Sequence, residues 1–591
     1  MSGKDPRGWL TKILYPFSKT LRKQVNDAWK NQYGTPPPWT PLGKRHAQAE
    51  QERARLLQSP PPIDGDARWM SVGEAKAFAA QTIKEDGPVD FITLGYVADE
   101  QASEWVPIVS PAPGHLLTIA ATRAGKGAAQ IVPNLVTYAG SMLVIDPKGE
   151  NYAMTHKHRR RFSRVLRIDP FRVTEGWDAE AAFSKFNPMD FITDPSSARR
   201  LATALLGEPP SGDNLFWYQE AVNLLTGILL HIVETAKTPT LGKFRGLLAR
   251  PDAEMLKALK QGAKTTQQRV VRSAFNRFIG TDPKVRAGIL SEINANTAIW
   301  DEPALSETVS ASHFDFAQMR GDVPLTVYVV LPFDKLHSHS AFLKLIVSQF
   351  YQSMIMAAPP PKLPVVCLID EFPALGRMDE LVKALGEIAG YGVRFWLFAQ
   401  GVNQLKSIYP QDWETILAQC ATQSYFGIAD ATSAEILSNQ LGRRTIAYEV
   451  PSSSHSEAGQ DPDAFAQSST SVGASLNFTG VPLASPNEIR RHLGVGRPLQ
   501  VVFQSGHDPI VAHLSPWYEV PEMREIVPDL RTGPVNLSSQ PTYTVPKAPL
   551  RTSEEEAEIR AMLERIERET ARKGVPEGHE FGIRETNKDG T

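Results

Sequence analysis

The sequence predicts an α/β protein in which a sheet the size of one nucleotide-binding domain is interrupted by an all-helical insertion. Short apolar runs that end in Gly- or Asp-rich turns between residues 116 and 168 indicate buried parallel strands. Strand signals fade from about residue 185 to about residue 310 and return at residue 324. A sheet that begins, stops and resumes predicts one fold with an insertion.

The strands of this sheet are predicted from continuous apolar runs. Before the insertion the runs are LLTIA (116–120), SMLVID (141–146) and SRVLRID (163–169). After it they are PLTVYVVLP (324–332), PVVCLID (364–370), VRFWLFAQ (393–400) and QSYFGIA (423–429). The insertion itself is predicted to be helical because residues 214–236 repeat apolar side chains at helical spacing.

The segments that follow the last of these strands are more polar. A Ser-, Gly- and Gln-rich stretch from Pro451 to Gly480 predicts a long loop, and LQVVFQSG (499–506) is predicted to close the sheet. Residues 553–573 combine a capping box with Glu/Arg pairs four residues apart, which predicts a charged helix in the C-terminal tail.

Length and composition exclude several classes of protein. The 591 residues carry 63 Lys+Arg and 65 Asp+Glu, so a generally basic coat is excluded but a local basic surface is not. Hydrophobic residues make up 42% of the chain, which excludes an overall disordered protein. Only Cys367 and Cys420 are present, which excludes a disulfide framework. We therefore expect a cytoplasmic protein.

The segment TIAATRAGKGAAQIVPNL (118–135) has the order of a P-loop: a strand, then Gly125 and Lys126, then a helix. Such a loop points backbone N–H groups at phosphates, and its Lys reaches the terminal phosphates. Two positions depart from the pattern: Ala120 replaces the first Gly, and Gly127 replaces the Ser or Thr that holds Mg²⁺. On this segment alone, an ordinary strand-to-helix turn explains the pattern equally well. The predicted nucleotide-binding residues are Thr122, Arg123, Ala124, Gly125, Lys126, Gly127 and Ala128.

A second motif strengthens this interpretation. The strand VVCLI ends in Asp370 and Glu371, where P-loop ATPases place a Mg²⁺-binding carboxylate and a Glu that polarises the attacking water. A further strand ends in Gln400, which we predict to sense the terminal phosphate. The alternatives are a solvated acidic turn and a polar strand cap. Together the motifs predict ATP and Mg²⁺ as cofactors, with Lys126, Glu371 and Gln400 as the catalytic residues.

Several longer strings resemble the TraG/TraD-like type IV coupling proteins, the P-loop ATPases that deliver DNA and protein to conjugation and type IV secretion channels. They are ATRAGKGAAQIVPNL, SMLVIDPKGEN, RVLRIDPF, IDEFPALGRMDELVKALGEIAGYGVR and FAQGVNQLKSIYP. The resemblance covers most of residues 110–450, and the strings DPKGE and DEFPALGRMDEL carry most of its specificity.

The resemblance implies a RecA-like motor domain with an inserted all-α domain, assembled as a homo-hexamer with ATP between protomers. It implies an enzyme that pumps single- or double-stranded DNA, or a relaxase–DNA complex, toward the components of a secretion channel. Two alternatives stay open. One is a non-hydrolysing receptor or adaptor for cargo, and the other is an FtsK/HerA-like translocase for DNA packaging or segregation.

Family members usually begin with transmembrane helices, whereas this sequence predicts no transmembrane segment. Residues Trp9–Lys23 form a basic amphipathic stretch, which suggests a peripheral contact with the inner membrane as a hypothesis. A helix docked on the protein or on a partner is the alternative.

The remaining candidates carry less weight. Two interpretations are open for Asp146, Lys148 and Glu150: they approach a nucleotide, or they belong to a turn that caps a helix. The run HKHRRR (156–161) either contacts DNA phosphates or is a solvated face. His337 and His339 are interpreted as surface residues, Trp217 as core and Cys367 as buried and unreactive. The candidates for an arginine that acts on a neighbouring subunit are Arg377, Arg394, Arg443 and Arg444.

These observations divide the chain into five predicted segments. They are an N-terminal basic segment with a Pro-rich linker (1–75), the first part of the nucleotide-binding domain (76–180), the all-α insertion (181–315), the second part of the nucleotide-binding domain (316–535) and a C-terminal tail with the charged helix (536–591).

Overall fold

The structure is a computed structural model that describes residues 19–84, 87–111, 113–179, 181–210, 212, 214–356, 359–456 and 469–530. Contacts divide the chain into two units. Among the described residues, the sheet unit lies within 69–438 and 484–530, and the hairpin unit lies within 19–68 and 439–483. The predicted charged helix at 553–573, and most of the basic segment Trp9–Lys23, lie outside the described residues.

The sheet unit is built on an eleven-stranded sheet with the order β2-β1-β13-β12-β9-β3-β8-β7-β4-β6-β5. Its strands are β1 (Ile92–Asp99), β2 (Glu104–Ser110), β3 (Leu116–Ala120), β4 (Met142–Ile145), β5 (Arg164–Ile168), β6 (Leu325–Val329), β7 (Val365–Ile369), β8 (Val393–Ala399), β9 (Thr422–Phe426), β12 (Leu499–Gln504) and β13 (Ile510–His513).

The strands from β9 to β5 are all parallel, in the registers Leu116↔Thr422, Leu116↔Trp396 and Val365↔Val393 among others. Every residue of β3, β4, β6, β7, β8 and β9 is buried. This is the burial expected of parallel strands that are covered on both faces, and it explains why their sequences are mainly apolar. The exception is β9, which begins with Thr422, Gln423 and Ser424. The strands predicted from those runs are present.

Four antiparallel strands extend the sheet beyond β9. The prediction that residues 499–506 close the sheet was wrong, because β12 pairs on one side with β9 and on the other with β13. Strands β1 and β2 were not predicted. The outermost strand, β2, contains Pro107, a residue that a sheet accepts at its edge and that weakens a sequence-based strand signal.

Helices cover the sheet and fill the segment between β5 and β6. The helices of the sheet unit before β6 are α3 (Val72–Thr82), α4 (Val132–Thr137), α5 (Glu150–Arg159), α6 (Pro195–Leu206), α7 (Asn214–Thr235), α8 (Leu241–Leu248), α9 (Asp252–Thr265), α10 (Arg269–Gly280), α11 (Pro283–Thr297) and α12 (Pro303–Thr308). The helices after β6 are α13 (Ser340–Met356), α14 (Asp379–Glu387), α15 (Val402–Ile408), α16 (Trp413–Gln419), α17 (Ala431–Leu441), α18 (Pro486–His492) and α19 (Pro521–Ile526).

The helical insertion, α6 to α12, leaves the sheet after β5 and returns at β6, and these two strands are direct neighbours in parallel register. The insertion therefore leaves the order of the sheet undisturbed. Its first helix begins at a capping box formed by Asp194 and Ser197, with Pro195 in the first turn. Inside it, α7 buries a long apolar face against α6, α10 and α11.

The hairpin unit contains α1 (Lys19–Tyr33), α2 (Pro41–Gln58) and the antiparallel pair β10 (Arg443–Ser456) and β11 (Ser469–Pro482). The backbone N–H of Thr445 donates to the carbonyl oxygen of Gly65 at 2.9 Å, which ties the start of β10 to the segment after α2. The prediction of a loop over 451–480 was wrong for its described residues. The pairing of the two strands includes the buried residues Ile446 and Ala447 and continues beyond them through backbone hydrogen bonds. Such hydrogen bonds do not require apolar side chains.

Candidate nucleotide-binding site

The predicted site residues meet at the carboxyl edge of the parallel strands. Lys126 lies in the loop after β3, Asp370 directly follows β7, and Gln400 directly follows β8. Because β8 lies between β3 and β7, the sheet places Gln400 between the lysine and the carboxylates. Parallel strands end at the same edge, so residues 244 or more positions apart in sequence come within hydrogen-bonding distance.

The loop between β3 and the following helix has the backbone of a phosphate cradle. Gly125 has φ 93° and Arg123 has φ 63°, so two of its residues are left-handed. The loop continues into one π-helical turn, Gly127–Ile131, and then into α4. Single π-helical turns often occur at functional sites. Arg123 is exposed, and a left-handed backbone costs a non-glycine residue about 1 kcal/mol.

Gly427, at the end of β9, is required by the close approach of this loop. A Cβ atom on Gly427 would lie 2.2 Å from the Cβ of Ala124, and the residue has φ 59°. Any side chain there would push the loop away from the sheet, so this glycine holds the loop in place.

The ammonium group of Lys126 lies among the acidic groups of the β7 edge. Its Nζ atom donates to the Glu371 carboxylate at 3.3 Å and to the Asp370 carbonyl oxygen at 3.3 Å, and it lies 3.7 Å from the Asp370 carboxylate. These three side chains are each at most one-fifth exposed, so water screens their attraction only in part.

Gln400 connects the phosphate loop to Glu371. Its Oε1 atom accepts a hydrogen bond from the Thr122 hydroxyl at 2.7 Å, and its Nε2 atom donates to the Glu371 carboxylate at 3.0 Å. Because one end of the amide must accept and the other must donate, the two contacts fix the orientation of the amide. Thr122 is therefore engaged by Gln400.

Asp146 and Asn151 extend the site below Asp370. Asn151 Nδ2 donates to Asp146 at 3.3 Å and to Asp370 at 3.5 Å, and the Tyr152 N–H donates to Asp146 at 2.9 Å. Burial, with a smaller contribution from the neighbouring Asp370 charge, raises the pKa of Asp146 to about 7. Sequence analysis assigned little weight to Asp146 and did not single out Asn151, although both lie in the string SMLVIDPKGEN.

The residues of this edge fit a divalent cation. The Oδ1 atom of Asp370 is buried and has no hydrogen-bond partner among the described residues. Burial raises the pKa of Asp370, and the nearby Lys126 only partly opposes that rise. A carboxylate oxygen left in this state is an oxygen ligand of the kind that Mg²⁺ prefers. At Gly127, where many P-loops carry a hydroxyl, the position of a Cβ atom has no neighbour within 4 Å.

A buried polar cluster underlies the π-helical turn, and sequence reasoning missed it. Gln130 accepts from the Thr118 hydroxyl at 2.9 Å and donates to Ser424 at 2.9 Å and to Gln500 at 3.0 Å. Gln500 in turn donates to the carbonyl oxygen of Leu94 at 2.7 Å. The cluster therefore joins the helix after the phosphate loop to strands β3, β9, β12 and β1. Its only sequence signal was Gln130 itself, a polar residue in the stretch 127–145, which has no charged residue.

Several cationic candidates are buried inside the fold. Arg394 is 1% exposed and donates to the carbonyl oxygens of Gly114 and Ser110, so its side chain cannot reach a neighbouring subunit. Arg159, in the run 156–161, is 0% exposed, and both histidines of that run are also buried. Neither a DNA-lining face nor a solvated face describes this run as a whole. Arg377 is 42% exposed and pairs with Asp379 at 2.8 Å.

The other singled-out residues have ordinary surroundings. His337 is exposed, while His339 is half-buried and packs edge-on against Phe171. Trp217 is half-buried against Gly288. Cys367 is fully buried in β7, and burial raises the pKa of its thiol, so it is unreactive as predicted. The described residues contain no cluster of three or more His, Cys, Asp or Glu side chains placed to hold a metal ion.

Comparison with known proteins assigns the chain to a family. Residues 74–539 match the family described as Type IV secretory system Conjugative DNA transfer, and the chain belongs to this family. It is 30% identical over 367 residues to a conjugal transfer protein TraG of Escherichia coli, an alignment that covers 57% of this chain and 56% of the relative. It is 25% identical over 458 residues to the protein VirD4 of Agrobacterium fabrum, covering 76% of this chain and 64% of the relative. The chain thus spans little more than half the length of the Escherichia coli TraG proteins that it matches.

Solved structures confirm the predicted fold class, a RecA-like P-loop domain with an all-α domain. The conjugative coupling protein TrwBdeltaN70 in complex with sulphate superimposes with a TM-score of 0.55 at 15% identity, over 76% of this chain and 93% of that chain. TrwB in complex with a non-hydrolysable ATP analogue also gives a TM-score of 0.55 at 15% identity, over 77% and 96% of the two chains. None of the helices in the described ranges combines the length and hydrophobicity that a membrane crossing requires.

Proposed function

We propose that this member of the conjugative DNA transfer family is an ATP-hydrolysing coupling protein that moves DNA, or a protein–DNA complex, into a type IV secretion channel. One observation carries the proposal: Lys126, Asp370, Glu371 and Gln400 lie within one connected set of contacts at the carboxyl edge of the sheet. This is the constellation that phosphoryl transfer to water requires.

Each residue has a distinct task in this mechanism. The N–H groups of residues 122–128 receive the phosphates, and Lys126 exchanges its contact with Glu371 for the β- and γ-phosphate oxygens. Glu371, released from that contact, orients and polarises a water molecule for in-line attack on the γ-phosphorus. Gln400 donates to Glu371 and is tied to Thr122, so it responds when the γ-phosphate leaves.

Mg²⁺ would be held by the Asp370 carboxylate, through the oxygen that lacks a hydrogen-bond partner among the described residues. The cation supplies charge neutralisation on the phosphate oxygens. Asp146 and Asn151 hold the Asp370 carboxylate in place from below.

The substrate and partners follow from the family. We infer that a homo-hexamer binds single- or double-stranded DNA, or a relaxase–DNA complex, and docks on channel components. Peripheral contact with the inner membrane remains the hypothesis for how the chain is recruited. The TrwB structures with an ATP analogue, and with ADP and Mg²⁺, describe that protein and support nucleotide and Mg²⁺ binding here.

Steady-state ATP hydrolysis with and without single- and double-stranded DNA tests the proposal. We expect turnover that DNA stimulates. Lys126→Ala should lose ATP binding and turnover because the phosphates lose their cation. Glu371→Gln should keep ATP binding and lose turnover by 100-fold or more, roughly the contribution of a positioned catalytic base.

The exposed, distant Glu254→Gln is the matched control, and its turnover should equal that of the unmodified protein. Absence of turnover in every condition by a folded, assembled protein would refute the motor. It would favour the non-hydrolysing receptor and identify Ala120 and Gly127 as signs of an inactive loop. Recovery of DNA-segregation factors alone after crosslinking would refute the secretion role.

A further inference from the structure

A side chain of the helical insertion caps a helix that belongs to the sheet. Glu208 lies between α6 and α7, and its carboxylate accepts a hydrogen bond from the backbone N–H of Asp379 at 2.7 Å. Asp379 is the first residue of α14, and Met378, at the N-cap position of that helix, provides no capping side chain. The insertion therefore supplies the cap that α14 lacks, at the end of a helix where a negative charge is favourable.

Helix α14 connects the strands that carry the proposed catalytic residues. It follows β7 and Glu371, and it leads through one 3₁₀ turn into β8, which ends directly before Gln400. Within the helix, the carbonyl oxygen of Leu385 accepts a hydrogen bond from His115, the residue before β3. The position of α14 is thus linked to the strands that hold the phosphate loop, Glu371 and Gln400.

The segment between Glu371 and α14 is held at several points. A 3₁₀ turn, Phe372–Leu375, follows Glu371 directly and buries two of its side chains completely. The hydroxyl group of Tyr409 accepts the N–H of Met378 at 3.1 Å and donates to the carbonyl oxygen of Gly376 at 3.3 Å. Because closely packed segments transmit displacements, a shift of the first turn of α14 reaches Glu371.

The same insertion has a strongly basic surface. Residues 237–286 contain 12 Lys and Arg residues and three Asp and Glu residues, whereas the whole chain has a formal net charge of -2. Exposed lysines three and four positions apart share one face of α9: Lys257, Lys260 and Lys264. Among the described residues, the ion pairs of this stretch are formed by Arg245 and Arg277, and these three lysines have none. Such a face attracts the phosphates of DNA whatever its sequence.

We propose that Glu208 is a positioning residue through which DNA on the helical insertion controls the ATP site. This inference rests on the proposed function and adds its regulation. DNA on the insertion favours the arrangement in which Glu208 caps α14, because a ligand shifts an equilibrium only by binding one arrangement better than another. With the cap in place, α14 holds the strands of Glu371 and Gln400 in the geometry that hydrolysis requires.

The test separates DNA binding from the stimulation of turnover. Steady-state ATP hydrolysis by the full chain, measured over a range of single- and double-stranded DNA concentrations, gives the maximal stimulation and the DNA concentration for half of it. We expect Glu208→Ala to reduce the maximal stimulation roughly fivefold or more, the lower end of the usual coupling between two sites, at an unchanged half-maximal DNA concentration. Glu208→Gln should keep the stimulation, because its amide oxygen still accepts the N–H of Asp379.

Two further variants serve as controls. Gln352 lies on α13, outside the insertion, and donates a hydrogen bond of 2.7 Å to Glu380 in the first turn of α14. Gln352→Ala therefore loosens the same turn without touching the insertion, and it should keep the stimulation. The combined replacement of the three α9 lysines by Ala should do the opposite of Glu208→Ala. It should raise the half-maximal DNA concentration and keep the maximal stimulation at saturating DNA.

Full stimulation of Glu208→Ala would overturn the inference and leave the proposed function intact. An equal loss in Gln352→Ala would also overturn it, because the effect would then come from the stability of α14 alone. A raised half-maximal DNA concentration for Glu208→Ala would place this residue in the DNA surface and contradict a positioning role. Absence of turnover by the unmodified protein in every condition would overturn the proposed function and the inference with it.

Discussion

Gly127 shows how a single residue separates this loop from the usual P-loop. The residue begins the π-helical turn without a positive φ angle, and the position of its missing Cβ is open. The absent hydroxyl is therefore a chemical difference and leaves the shape of the loop unchanged. The hydroxyl group of Thr122, in the same loop, donates to Gln400.

Gly127→Ser should restore a hydroxyl ligand without a clash. We expect it to lower the Mg²⁺ concentration needed for half-maximal ATP turnover, by roughly threefold to tenfold, because one more protein oxygen reaches the cation. Mg²⁺ titrations of steady-state hydrolysis measure this shift. Gly127→Ala, which makes the same change to the backbone without the oxygen, should leave the requirement unchanged. An equal shift in both variants would show that backbone stiffening, and not the hydroxyl, is responsible.

A second residue-scale prediction concerns His115, immediately before β3. Its Nδ1 atom accepts the N–H of Phe395 at 3.0 Å, so its Nε2 atom carries the proton that is donated to the Leu385 carbonyl oxygen at 2.9 Å. Both bonds need the neutral ring. Burial, with a smaller contribution from the nearby Arg394, lowers the pKa of His115 to about 4.

The free energy of unfolding should therefore fall as the pH falls from about 6.5 to about 4. In this range the ring binds a proton in the unfolded chain but stays neutral in the folded chain. The slope from this one group is about 1.4 kcal/mol per pH unit. Thermal unfolding at about pH 7.5 and about pH 5 measures it, and His115→Gln should have a smaller difference between the two. The exposed His337→Gln should keep the full difference; if it flattened the pH dependence as much, His115 would not be the responsible group.

At the scale of elements, helix α5 illustrates a buried cation used as a structural link. Arg159 donates to the carbonyl oxygens of Leu135, Tyr138 and Gly140 and to the Thr326 hydroxyl, at 2.7 to 3.0 Å. These acceptors lie at the end of α4, in the turn before β4, and on β6. One side chain thus fixes the helix after the phosphate loop against the sheet.

Arg159→Met should destabilise the sheet unit by about 3 kcal/mol or more, because buried carbonyl groups lose their donors. Chemical unfolding followed by tryptophan fluorescence measures the loss. Arg161→Met, at an exposed position in the same run, should cost less than about 0.5 kcal/mol. A similar small cost for both would contradict the structural role of Arg159.

At the scale of the whole molecule, the proposed active site of one chain contains no arginine in contact with Glu371 among the described residues. Arg394 is removed from the candidates by its burial, which leaves Arg377, Arg443 and Arg444. If a neighbouring copy supplies the missing cation, turnover depends on assembly.

ATP turnover per protomer should then rise with protein concentration and level off where sedimentation shows the assembled species. Arg377→Ala, Arg443→Ala and Arg444→Ala, each mixed with Glu371→Gln, identify the donor. Only the variant that lacks the donor arginine should be inactive by itself and regain turnover in the mixture. In the mixture its intact Glu371 faces the intact arginine of a Glu371→Gln chain. Constant turnover per protomer over a range in which the protein changes from single chains to assemblies would exclude a shared site.

The strands of the parallel core could be predicted because burial on both faces favours continuous apolar runs. Each run can be recognised from its own residues, without knowledge of its neighbours. The motif residues Lys126, Asp370, Glu371 and Gln400 could be named because phosphate chemistry restricts residue type at the ends of such strands. The hairpin β10–β11 could not be predicted, since its pairing depends on backbone hydrogen bonds rather than on a hydrophobic pattern.

The sequence by itself determined the fold class, the place of the helical insertion and the chemical types at the catalytic edge. The tertiary structure alone decided which side chains share a hydrogen bond and which arginines are buried. The physical reason is that the two kinds of information act over different distances along the chain. Residue type and periodicity act along the chain, whereas the contacts of Gln400 with Thr122 and of Gln130 with Gln500 join residues 278 and 370 positions apart. Those distances close only when the strands assemble in the order of the sheet.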